Sequence, residues 1–387
     1  MRHLTLFAVT AGLAGASLVT PAMAEAQPNV DALRATVTLG AGGGAIGAQG
    51  IAVDPTTGLF YIAINGTVVA NCDGDASRPG AAPQTNRAGA NHLSIIDPAA
   101  ARETAFVATG GGPVWPTVDP SRRVVFVANS GSGTVTIHDA ATGAPAGTIT
   151  VGGKPHMGGL DLDTRLMVVG NTVRSAEAVA DQIYTSVVNT ADSRIALEFT
   201  AGQAPHGVVV DQTRHIAYTS SVGDGMITAV NTESGQPLFS AVPKQAFGTA
   251  FGNNNMITRQ AATRRLFQVN SQTGAAGVIV VDEVTLAAEG LIRFGNYNPW
   301  GVWVDEPNRL LFAALPQVNA IGVADLDTLA HVATVPVGTC PYSVAVDPDR
   351  RVGVTSNQGS PTITATASIL DMCPIYAAAG RTVSGCK

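Results

Sequence analysis

The chain has 387 residues, 45% hydrophobic and 13% charged, with a formal net charge of −6. Its basic residues are dispersed apart from Arg122-Arg123, Arg264-Arg265 and Arg350-Arg351, each where a turn is expected. That excludes the electrostatic footprint of a nucleic-acid binder.

The first element is a targeting segment. Met1-Arg2-His3 is followed by an uncharged apolar run from Leu4 to Val19, then Pro21 and the small-x-small site Ala22-Met23-Ala24. This pattern predicts a signal peptide over 1–24, cleaved near Ala24, and a periplasmic or secreted product. A retained anchor is the alternative, but a run of about 16 residues is short of the ~20 needed to span. No later stretch predicts a membrane span.

From there the texture is uniform. Aromatics make up 5% of the chain, while 43 glycines punctuate short Val/Ile/Leu/Ala runs. Such composition predicts many short strands and tight turns.

A Pro–x5–Asp unit followed by an apolar run then recurs. AQGIAVD at 48–54 is a first copy without the Pro. PVWPTVD, PHMGGLD and PHGVVVD follow from Pro113, Pro155 and Pro205, and PWGVWVD and PYSVAVD from Pro299 and Pro341. A degenerate copy from Met256 has Gln260 at the Asp position. The anchors fall at 54, 119, 161, 211, 260, 305 and 347. A second apolar segment ending in Asp or Asn follows the first six, as in LSIID at 93–97 and ITAVN at 227–231. A third, often closed by Gly, is TITVG at 148–152, LIRFG at 291–295 and TVPVG at 334–338.

Each unit therefore holds four strand candidates, inner to outer: a before the anchor, b after the turn, c ending at Asp or Asn, and d leading onward. Four-stranded units of ~40–45 residues are the signature of propeller blades. Seven anchors predict an all-β, seven-bladed β-propeller over 25–370, with four-stranded antiparallel blades. The last unit lacks a d-strand, whereas ATVTLG at 35–40 precedes the first anchor. An N-terminal strand is thus expected to complete the last blade. Residues 371–387 are left as a C-terminal tail.

These units resemble the YVTN-type β-propeller repeat, through Phe126-Val127-Ala128-Asn129, Gly207 to Asp211, and Val346-Asp347-Pro348. The resemblance covers residues 30–370 and implies the fold more than a function. That family is often exported, and is related to propeller subunits of amine dehydrogenases and to lactonase-type propellers. The insert at 71–91 and the longer connection at 241–255 depart from its pattern.

In such a meander the d–a and b–c connections share one face. The residue after the repeat's Pro begins strand a, and is expected at the mouth of the central channel on that face. The position holds Gln49, Val114, His156, His206, Trp300 and Tyr342, with Phe247 or Asn255 in the fifth unit; Trp115 is one residue further along. A mouth with two neighbouring His and several aromatics has the mixed apolar and polar character of a ligand site. The plainer alternative is that these side chains fill the funnel. Two His fall short of the three or four ligands a metal wants.

Asn71-Cys72-Asp73-Gly74-Asp75 brings oxygens together but lacks the Gly and Glu of a calcium loop. Asp73 and Asp75 are therefore only weak metal candidates, and no cofactor is expected. The GxGxxG at Gly42, Gly44 and Gly47 precedes a predicted strand rather than the helix a dinucleotide site needs. Four Cys in an exported chain suggest two disulfides. Ring topology favours Cys72–Cys340 across the closing seam, and Cys373–Cys386 within the tail.

The expected function is a binding or scaffold module with a small molecule or protein partner at the mouth. One alternative is a lactonase-type hydrolase or lyase using His156 and His206 as acid/base or ligand residues. Another is a propeller subunit of a periplasmic redox enzyme. No catalytic constellation forces an enzyme reading.

Overall fold

A computed structural model describes residues 27–40, 44–68, 90–172, 185–243, 256–270, 276–360 and 363–386. The expected signal peptide, Cys72, Asp73, Asp75, Phe247 and Asn255 lie outside them.

The chain folds as an all-β ring of seven four-stranded antiparallel sheets, a β-propeller. Six blades run a–b–c–d in sequence order, the first comprising Ala48–Val53, Phe60–Ile64, His92–Asp97 and Arg102–Ala108. The seventh is made of Pro341–Asp347, Val352–Asn357, Thr366–Asp371 and the N-terminal strand Leu33–Thr38. That strand pairs antiparallel with Thr366–Asp371, closing the ring as expected. Strands b such as Phe60–Ile64, Leu166–Asn171 and Leu310–Leu315 are buried on both faces because each blade is covered by its neighbours, so they read as near-continuous apolar runs. The d-strands Pro145–Thr150, Ala288–Ile292 and His331–Pro336 end two or three residues before the Gly of the third signal.

The repeat residues are turn chemistry. After strand a, Oδ1 of Asp119 accepts from the backbone N–H of Ser121 and Arg122, and Asp161, Asp211 and Asp347 act alike. Four residues on, the chain turns left-handed at Gly58, Arg123, Arg165, His215, Arg264, Arg309 and Arg351. Asp97, Asp139, Asn189, Asn231 and Asp282 perform the same Asx capping after strand c. Those positions accept Asn as well as Asp because the cap needs one oxygen. In several a-strand anchors Oδ2 also works: Asp119 meets Arg165 at 3.0 Å, Asp211 meets Arg259 at 2.8 Å and Asp305 meets Tyr376 Oη at 2.7 Å, each from another element. The Asn closing strand b is structural too. Asn129 and Asn357 donate from Nδ2 to hydroxyls of strand c, Thr136 at 3.1 Å and Ser368 at 3.0 Å.

The fifth blade is where the pattern lapses. Gln260 accepts only from Thr263 Oγ1 within its turn. The neighbouring Arg259 instead bridges Asp211 and the fully buried Glu283, which also receives Arg214 and Arg264. This cluster stitches blades four and five together.

The tail carries more structure than a disulfide loop. Met372–Ala378 is a helix, capped by Asp371 Oδ1 accepting from Cys373 N–H, and it buries Met372, Ile375 and Tyr376. Cys373–Cys386 is a disulfide, as expected. Cys340 is also disulfide-bonded; its expected partner, Cys72, is outside the described residues. No helix among the described residues is long and apolar enough to cross a membrane.

Candidate functional site

The residues after the repeat's Pro owe their place to a backbone irregularity. In blade two, Pro113 pairs with Asn129 and Trp115 with Ala128, leaving Val114 as an extra residue. His206 and Tyr342 are extra in the same way, and His156 with Met157 opposes Gly170 alone. Gln49 and Gly50 likewise oppose one residue in blade one. Such bulges re-aim a side chain and end the pairing at a strand's rim. A repeated backbone bond fixes this end of the blades: Ser130, Thr172, Val222 and Gln358 each donate N–H to the carbonyl preceding the Pro.

His156 and His206 come together as the repeat spacing implies. Their rings are 3.3 Å apart between centroids with planes 32° apart, and exposures are 9% and 8%. The approach depends on Gly170. A Cβ there would lie 3.0 Å from Pro205 C and 3.2 Å from His206 N. Thr172 Oγ1 donates to Pro205 O at 2.8 Å, clamping blade four's inner strand onto blade three.

Trp300 and Tyr342 form a second pair, between blades six and seven, edge-on at 5.4 Å with planes 86° apart. Gly301 N–H donates to Tyr342 O at 2.9 Å, and Gly301 leaves the space that Ser343 fills. Burial pushes the Tyr342 phenol well above its ordinary range, so it stays protonated. The two pairs stand on separate sides of the ring.

Gln49 and Trp115 are placed differently. Gln49 Nε2 donates to Thr67 O at 3.2 Å and Asn65 Oδ1 at 3.4 Å, bracing blade one's own b-strand end. Trp115 packs against Gly50 and lines a cavity in the central channel. There, inner strands of six blades line an open-ended cavity of about 200 Å³ whose walls include Met157, Met256 and Trp303. Sequence reasoning did not select those three, although each falls on or beside an inner strand whose place the repeat gives.

Among the described residues, the metal-type group is on the opposite face, not at the mouth. Asp161, Asp163 and His215 offer ligand atoms within 4.8 Å of one another. Asp161 is already engaged at both oxygens. Oδ1 accepts from Asp163 and Thr164 N–H, and Oδ2 from His215 Nδ1 at 2.9 Å and Thr232 Oγ1. The group therefore acts as a joint between blades three and four. The hydrogen bond to Asp161 pushes His215 up in pKa. For Asp161, burial opposes ionisation, but the bonds from Thr232, His215 and the backbone outweigh it and its pKa falls.

No protein-family model matches the chain, and no curated protein matches it. Among solved structures it is similar to Kuenenia stuttgartiensis Hydrazine Synthase, at 17% identity with a TM-score of 0.65. The match covers 83% of this chain and 95% of that one. At that identity the likeness shows a shared fold alone.

Proposed function

We propose that this protein is an exported binding module of the YVTN-repeat type, which takes its ligand or partner at the channel mouth. The observation that carries the reading is the pairing of His156 with His206 and of Trp300 with Tyr342 on bulged or irregular inner-strand starts. Funnel filling needs only apolar side chains. Burying imidazoles and giving up regular pairing to aim them are costs that a recognition site offsets. The disulfide Cys373–Cys386 and the signal-like N terminus support export.

The test is a thermal-shift screen of the mature protein against lactones, sugars, quinones and divalent metals, beside a His156→Ala/His206→Ala double variant. A compound that raises the Tm in wild type only supports the site. No shift with any compound, together with no partner in pull-down, sinks it. Hydrolysis of a lactone that is lost in the double variant would move the reading to a hydrolase.

A second reading, a propeller subunit of a multi-chain redox enzyme, draws on the likeness to a hydrazine synthase. It expects a cofactor-bearing chain to co-purify, visible by absorbance; a colourless, single-chain preparation from the native host counts against it.

A further inference from the structure

The channel beneath the mouth has its own chemistry. Its cavity of about 200 Å³ is below the ~300–1,000 Å³ of ordinary ligand pockets, so an occupant is limited to one ring or two fused rings. None of the described residues that line it is ionisable. Two indoles, Trp115 and Trp303, and two thioethers, Met157 and Met256, form much of the wall. Indole faces and polarisable sulfur both favour contact with an aromatic ring.

The wall is also held in position. A Cβ on Gly50 would be 2.1 Å from Trp115 Cε3, so that indole rests directly on blade one's backbone. Among the described lining residues the hydroxyl side chains are Thr117 and Thr258, on different sides of the channel, while the two indoles offer N–H donors only. Thr117 Oγ1 donates to Gly158 O at 2.7 Å, across blades two and three. With its proton committed, that hydroxyl is left as an acceptor. A ligand that satisfies it must bring a donor. A charged ligand would lose hydration with no counter-charge among the described lining residues.

We infer that this cavity binds a small uncharged aromatic molecule carrying an O–H or N–H donor, a phenol in its simplest form. The inference deepens the binding proposal above and rests on it only for the route of entry. The mouth is the entrance, and the channel is where the ring comes to rest.

The experiment is a ¹⁹F NMR titration of the mature protein with 4-fluorophenol, and with 4-fluorobenzoate as the charged comparison. Ala52→Phe and Thr258→Phe fill the cavity from separate blades at half-buried positions. Saturable binding of the phenol is expected, weakened at least about tenfold by either filling variant and about tenfold weaker for the benzoate. Unchanged Tm and circular dichroism qualify each variant. If one does not fold, the other and the charge comparison still decide. Absence of saturation, equal affinity in a folded filling variant, or a benzoate that binds as tightly would each overturn the channel site. In the His156→Ala/His206→Ala variant, altered affinity or exchange supports entry at the mouth. Unaltered binding there, with loss in the filling variants, removes the mouth reading and leaves the channel site standing.

Discussion

Arg259 of blade five reaches across to Asp211 of blade four, Nη2 to Oδ2, at 2.8 Å. The same guanidinium donates from Nε to Glu283 Oε2 at 2.6 Å, and Glu283 is wholly buried. The fifth blade lacks an anchor Asp, and this bridge takes over its inter-blade duty one residue earlier in the strand. Glu283→Gln removes one of two carboxylates that balance Arg214, Arg259 and Arg264. Breaking a buried pair costs ~3–5 kcal/mol. Arg264 is half exposed, so about 3 kcal/mol is expected. Urea unfolding of both proteins measures it, and a loss below about 1 kcal/mol would mean the bridge is only a surface ion pair.

The joint between His215 and Asp161 makes stability depend on pH in a defined sense. His215 has its pKa raised by the Asp161 hydrogen bond, so its contribution is complete below its unfolded value of about 6.5 and is lost as pH rises through the folded value. Asp161 has its pKa lowered on balance, so its contribution is present above its unfolded value of about 3.9 and is lost as pH falls through the folded value. The joint is strongest from about pH 4 to 6.5. His215→Gln should leave a Tm profile that no longer falls between about pH 6.5 and 8 for this reason. Identical slopes in wild type and variant would show that the pair does not titrate with folding.

Gly50 is fixed by what lies against it. With Trp115 Cε3 2.1 Å from a would-be Cβ, Gly50→Ala must displace the indole or part the first two blades. Overpacking of this kind costs typically about 1–3 kcal/mol. The displaced indole should also shift the Trp emission and weaken 4-fluorophenol binding. A stable variant with wild-type emission would place the indole elsewhere.

The repeat was legible because each blade writes its turns with the same residues. Asp119, Asp161, Asp211, Asp305 and Asp347 recur since each caps a turn, and the first four also reach another element through Oδ2. Ring closure by Leu33–Thr38 followed from one missing strand and one spare strand. The adjacency of His156 and His206 was legible, because the repeat register puts them at equivalent points of neighbouring blades. The edge-on packing of Trp300 on Tyr342 was not, because it depends on the space left at Gly301. Nor was the role of Arg259, since cross-blade ion pairs follow no period along the chain. The tail helix was obscured for a related reason. Only three of its seven residues, Met372, Ile375 and Tyr376, are buried, too short a stretch to display a helical period.

That helix provides the last expectation. Tyr376 Oη donates to Asp305 Oδ2 at 2.7 Å while the ring is buried among residues of blades six and seven. Tyr376→Phe keeps the ring but leaves that buried carboxylate oxygen with Asn308 Nδ2 as its remaining partner, at 2.9 Å. A cost of about 1–3 kcal/mol is expected. The Cys373–Cys386 bond joins residues 13 apart and, by loop entropy, contributes up to about 3 kcal/mol. Both features hold one short helix on one surface, so their effects should overlap. Once Cys373→Ser/Cys386→Ser has loosened the segment, Tyr376→Phe should cost less than in the parent, by at least about 0.5 kcal/mol of coupling. Strict additivity in a denaturant double-mutant cycle would show that hydroxyl and disulfide stabilise separate parts, and that the helix docks on blade six without help from the loop that follows it.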